Sequence, residues 1–100
     1  MPLTNNKPQA EPMQLEIEMD EATSQGIYVN LAGIAHNETE FILDFLFLQP
    51  NQPKAKLRSR IISSPAHTKR FAAALMENIR KYEEHFGVIV DKSITPQAHS

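Results

Sequence analysis

Residues Phe41 to Leu48 read Phe-Ile-Leu-Asp-Phe-Leu-Phe-Leu, and no other stretch limits the fold as tightly. Successive side chains of a strand point to opposite sides, so a strand covered on one face alternates apolar with polar residues. Here Phe41, Leu43, Phe45 and Phe47 fall on one side. Ile42, Leu46 and Leu48 fall on the other, where only Asp44 is polar. Both sides require cover. The remainder of the chain can supply about one layer, so the second layer is expected from another copy or another protein.

Size sharpens that expectation. One hundred residues make one domain, and a folded part of about 75 buries only roughly 60–65% of its chain surface. Such a domain gains from dimerisation. The composition, 41% apolar and 22% charged, is that of a globular protein. With no cysteine, neither a disulfide framework nor a thiolate zinc site can form. No apolar run approaches the roughly 20 residues that span a bilayer. Met1 to Lys7 lacks the long apolar region of a signal peptide, so a cytoplasmic location is expected.

A net charge of −2 hides an uneven distribution. Residues 1–53 carry Glu11, Glu16, Glu18, Asp20, Glu21, Glu38, Glu40 and Asp44 against the single base Lys7. Residues 54–70 carry Lys54, Lys56, Arg58, Arg60, Lys69 and Arg70 and no acid. Any electrostatic partner would be read locally.

Between a disordered tail at 1–12 and a second at 91–100, the single domain at 13–90 shows four strand patterns and one helix pattern. Met13 to Asp20 alternates cleanly, with Leu15, Ile17 and Met19 on one face and Glu16, Glu18 and Asp20 on the other. Ser24-Gln25-Gly26 supplies a turn into a second strand, Ile27 to His36. The apolar run Phe41–Leu48 is the third, and Ala55 to Ile62 the fourth, separated by a loop with Pro50 and Pro53. Ser63 or Ser64 can cap a helix that has Pro65 at its first position and Gly87 past its end. Phe71, Leu75, Ile79, Tyr82 and Phe86 give it an apolar stripe. Short connections favour antiparallel neighbours. The expected fold is α+β: a four-stranded antiparallel β-meander with one long C-terminal helix packed on one face. Val88-Ile89-Val90 then forms a fifth strand or an arm reaching onto a partner.

The candidate sites are few. In a hairpin closed by the Pro50–Pro53 loop, Asp44 shares a face with Arg58, an expected structural ion pair, with Arg60 diagonal to it. Lys54, Lys56, Arg58 and Arg60 read as a basic ladder on one strand face. With Lys69, Arg70 and the helix N-terminus, they could contact phosphate or nucleic-acid backbone. Against that stand the acidic total and the lack of aromatics between the bases. The opposing acidic ladder of Glu16, Glu18 and Asp20 suits electrostatic pairing between copies. His36, His67, His85 and His99 show no metal spacing, and Ser63, Ser64 and Thr68 beside His67 make no nucleophile elbow. A pocket joining Tyr28, Asp44 and His67 would be needed for small-molecule catalysis. No cofactor signature is present.

The combination Tyr28-x-Asn30, Glu40-Phe41, Leu43-Asp44-Phe45, Ser59-Arg60-Ile61, Ser64-Pro65-x-His67, Tyr82-Glu83 and Phe86-Gly87 resembles a small bacterial and archaeal family, domain of unknown function 3467. The resemblance runs from about Leu15 to Val90. It implies a stand-alone domain of this size and brings no activity, cofactor or catalytic residue. The reading that follows is a cytoplasmic, non-enzymatic interaction module without cofactor or membrane association. It is expected to be a homodimer, with Ile42, Leu46, Leu48, Val88, Ile89 and Val90 near the contact. Nucleic-acid or phosphate binding through the basic residues is the rival.

Overall fold

The computed structural model describes residues 14–91. Its elements, in order, are a one-turn helix α1 (Glu21–Ser24), strands β1 (Leu31–His36), β2 (Phe41–Leu48) and β3 (Ala55–Ser63), and a long helix α2 (Pro65–Phe86). The strands form an antiparallel sheet in the order β1-β2-β3. An α+β domain with the doubly apolar strand at its centre is therefore observed. The tails expected at 1–12 and over 92–100 lie outside the described residues, as does Met13.

Each connection has a local cause. Between β1 and β2, the Asn37 side-chain oxygen accepts from the backbone N–H groups of Thr39 and Glu40, both at 2.9 Å. That Asx-type turn reverses the chain. Between β2 and β3, Asn51 takes a left-handed conformation (φ 67°) that Asn tolerates better than most residues.

The expected first strand is absent among the described residues. Residues 14–20 take no regular secondary structure and join no ladder, and Leu15, Ile17 and Met19 stand 82%, 73% and 65% exposed. Alternation suits a strand face but supplies no partner edge. Asp20 instead caps α1, its carboxylate accepting from Thr23 N–H at 2.7 Å.

The second strand begins at Leu31, not Ile27. Asn30 explains the difference. Its side-chain amide spans the last rung of β2, accepting from Leu48 N–H at 2.8 Å and donating to Leu48 C=O at 3.2 Å. That rung is satisfied by a side chain, which frees the backbone before Asn30 to leave the ladder. The chain then crosses the phenylalanine face, where Ile27 and Val29 border a groove with Phe45, Ser59 and Ile61. Tyr28 meets the ring of Phe47 edge-on at 6.3 Å.

α2 has the boundaries its caps demand. The Ser64 hydroxyl accepts from His67 N–H at 3.1 Å, Pro65 opens the helix, and Gly87 (φ 95°) donates its N–H to Glu83 C=O at 2.9 Å. Its expected packing on one sheet face is not observed. Only its first turns meet the sheet, where His67, Thr68 and Phe71 share a cavity of about 260 Å³ with Leu43, Phe45, Ile61 and Ser63. Beyond that point the stripe is open: Leu75 is 49% exposed, Tyr82 50% and Phe86 73%. Among the described residues no side chain is fully buried, and the best-covered run is the half-buried Phe41–Phe47 of β2.

Candidate functional site

The register of β2 against β3 decides where the polar candidates sit. Pairing runs from Phe41 opposite Ser63 to Phe45 opposite Ser59, then shifts so that Leu46 faces Leu57 and Leu48 faces Ala55. The extra residue is Arg58, a β-bulge that exchanges the two sides of β3 from that point on.

Two expectations change with it. Asp44 pairs with Arg60, directly opposite, and not with Arg58. The contact is bidentate, with Arg60 Nε 2.7 Å from Asp44 Oδ1 and Nη2 2.9 Å from Oδ2. The Arg60 hydrogen bond holds the Asp44 carboxyl below the usual aspartate range, and Asp44 in turn raises the Arg60 guanidinium. Secondly, the basic ladder is split. Lys56 lies on the side of Phe47, while Arg60 lies on the side of Asp44 and is already neutralised. A one-sided phosphate track along Lys54, Lys56, Arg58 and Arg60 is not formed.

The helix N-terminus beside Lys69 and Arg70 offers little to an anion. Pro65 has no N–H, His67 N–H is taken by the Ser64 hydroxyl and Thr68 N–H by the Ser64 carbonyl at 2.9 Å. Ala66 alone is left in the first turn.

Ser63 and His67, which make no nucleophile elbow by sequence, do meet. Ser63 Oγ lies 2.8 Å from His67 Nδ1, within reach of a nucleophile and its base. The spacing of four residues across the Ser64 cap was the available signal. Among the described residues no carboxylate bonds the other His67 nitrogen, so the orienting third group of a triad is missing. The bond instead locks the joint between β3 and α2. Tyr28, Asp44 and His67 are not brought together: Tyr28 stands at the Phe47 end of β2, His67 at the end where Phe41 faces Ser63, and Asp44 on the opposite side of the sheet. No group of three or more His, Asp or Glu suited to a metal exists among the described residues. No described helix is long and apolar enough to cross a membrane.

The apolar candidates form the larger surface. Ile42, Leu46 and Leu48 share their face with Leu31, Leu57 and Ile62, with the Asp44–Arg60 pair at its centre. Leu48, Leu57 and Ile62 are 42%, 45% and 55% exposed, and Ile42 and Leu46 half-buried. Val88, Ile89 and Val90 form no strand. Ile89 N–H donates to the Glu83 carboxylate at 3.0 Å, which turns the segment back along the end of α2 and leaves Val88 and Val90 open.

No curated protein and no solved structure matches the chain. The family model described as "Protein of unknown function (DUF3467)" matches residues 1–91, which take in both hairpins, the locked joint and all of α2, and the chain belongs to that family.

Proposed function

We propose that the chain is a cytoplasmic, non-enzymatic interaction module whose folded form is a homodimer. The observation that carries this reading is the lack of an interior. Among the described residues, nineteen large apolar side chains are between 42% and 82% exposed, from Leu15 to Val90. Conformational entropy costs about 1–2 kcal/mol per ordered residue, and apolar burial is the main term that offsets it. A chain with a capped 22-residue helix and a registered sheet, yet no buried side chain among its described residues, obtains that burial from a partner. The face of Ile42, Leu46 and Leu48 and the Val88–Val90 segment lie near the contact. Nothing in the arrangement of Ser63, His67 or Asp44 favours catalysis over a structural role.

Native mass of the purified full chain, by sedimentation or light scattering, tests the proposal. A dimer is expected. Leu46→Glu is expected to weaken it about tenfold or more, since a carboxylate would be desolvated in an apolar contact. A monomeric wild-type chain with a cooperative melt overturns the reading.

A further inference from the structure

We propose that α2 is an exchanged element, its distal turns from Leu75 to Phe86 packing on the sheet of a second copy of this chain. The inference rests on the self-association proposed above and assigns its geometry. Four observations carry it.

The joint between sheet and helix is a single residue, Ser64, and it is locked. The Ser64 hydroxyl holds His67 N–H, the Ser64 carbonyl accepts from Thr68 N–H and from Thr68 Oγ1 at 2.7 Å, and Ser63 Oγ bonds His67 Nδ1. Loops between a strand and a helix that folds back over its own sheet run to about 2–6 residues. With one, bonded on both sides, the exit direction is set and the distal stripe is carried away from its own sheet.

The stripe and the sheet are complementary surfaces, each without its counterpart among the described residues. Phe71, Leu75, Met76, Tyr82 and Phe86 are 42–73% exposed along the helix. On the sheet, a groove of about 590 Å³ opens between residues 22–29 and Phe45, Ser59 and Ile61, and Leu57 and Ile62 stand open on the other side.

Their dimensions agree. The distal turns from Leu75 to Phe86 run about 18 Å, which fits within the roughly 30 Å of the nine-residue β3. The area is sufficient as well. The exposed apolar side chains present on the order of 1,000 Å² per copy, against the ~800 Å² per partner of a standard stable interface.

A two-fold exchange covers both helices and both sheets at once and closes at two copies. A lone helix-binding partner would leave the helix covered and the sheet open.

The chain has no cysteine, so introduced thiols report without background. Met76→Cys in one population of full-length chain is mixed and refolded with Ser59→Cys, or with Leu57→Cys, in another. A short bis-maleimide is then added. Ser59 and Leu57 stand on opposite sides of the sheet, so one pairing reads each face. A covalent dimer of unlike chains from either mixture, with native mass also dimeric, supports exchange.

Four results overturn it. Linkage within one chain, when Met76→Cys is combined with Ser59→Cys or with Leu57→Cys in the same chain, means that the helix folds back on its own sheet. Linkage only between two Met76→Cys chains means that the helices pair with each other. A dimer giving no linkage leaves self-association standing without exchange. A monomeric wild type removes both readings. Should a variant lose its helical circular-dichroism signal, Ile34→Cys with Phe86→Cys replaces it, at positions 69% and 73% exposed.

Discussion

β2 and α2 are both apolar-rich and both complete in their backbone bonding, but they stand differently toward the rest of the molecule. β2 is paired along both edges, by β1 from Leu31 to His36 and by β3 from Ala55 to Ser63, and its residues from Phe41 to Phe47 are half-buried by their neighbours. α2 is capped at Ser64 and Gly87 and braced on its polar side by Arg80, which bridges Glu77 and Glu84 at 2.8 and 2.9 Å. Yet among the described residues its apolar stripe meets no strand beyond the first turns, and only Ile89 lies along its end. The contrast separates two things that native structures usually deliver together. Hydrogen bonds and caps decide that an element forms, and burial decides that it persists. Most helices in proteins take their stability from packing of the apolar face, and here the described residues of one chain do not provide that packing.

The contrast can be broken by dilution, with the largest effect. If α2 depends on a second copy, both the thermal midpoint and the helical signal at fixed temperature fall as the protein is diluted through its dissociation constant. A helical signal independent of concentration would show α2 to be self-sufficient. Next comes Phe45→Ala. Phe45 is half-buried at the centre of the sheet and borders both the groove and the cavity beneath the first turn of α2. A loss of about 2–4 kcal/mol is expected, somewhat below a fully buried Phe→Ala, read from the urea midpoint at fixed protein concentration. A loss under about 1 kcal/mol would place the centre of burial elsewhere.

Ser64→Ala sharpens the α2 side of the comparison. It removes the cap on His67 N–H and is expected to cost about 1 kcal/mol. Asn or Asp at the same position should restore most of it. The smallest effect belongs to Asp44→Asn. Its carboxyl titrates below the usual aspartate range because of the Arg60 hydrogen bond. The pair therefore contributes fully above about pH 4, the ordinary aspartate value, and its contribution is lost as pH falls through the lowered folded value. Wild type and Asp44→Asn should differ in urea midpoint at pH 7 and converge in acid. A gap that persists at pH 2 would assign the effect to packing.

Much of the architecture was legible where signals are local. Ser64, Pro65 and Gly87 mark α2 by the chemistry of its unpaired end groups, and Phe41–Leu48 marks β2 by the absence of polar residues on either side. The site was legible only as a set of residues. Arg58 looked like the partner of Asp44 because regular alternation was assumed, and the bulge at Arg58 breaks that alternation and substitutes Arg60. The same bulge divides the basic residues between two sides. Residues 14–20 carry a clean strand pattern, but a pattern states which face would be buried and not whether an edge is available.

By itself, the chain's sequence determined a central strand apolar on both sides, a neighbour after each of its turns, a capped terminal helix with one apolar stripe, and a deficit of cover. These follow from side-chain periodicity and end-group bonding, which act over a few residues. Tertiary structure alone decided the register at Arg58, the Asn30 clamp that turns residues 26–29 across the sheet, and the locked Ser64 joint that carries α2 away from it. Those depend on which distant groups meet, and a meeting between strands or across a joint leaves no periodic trace in the chain.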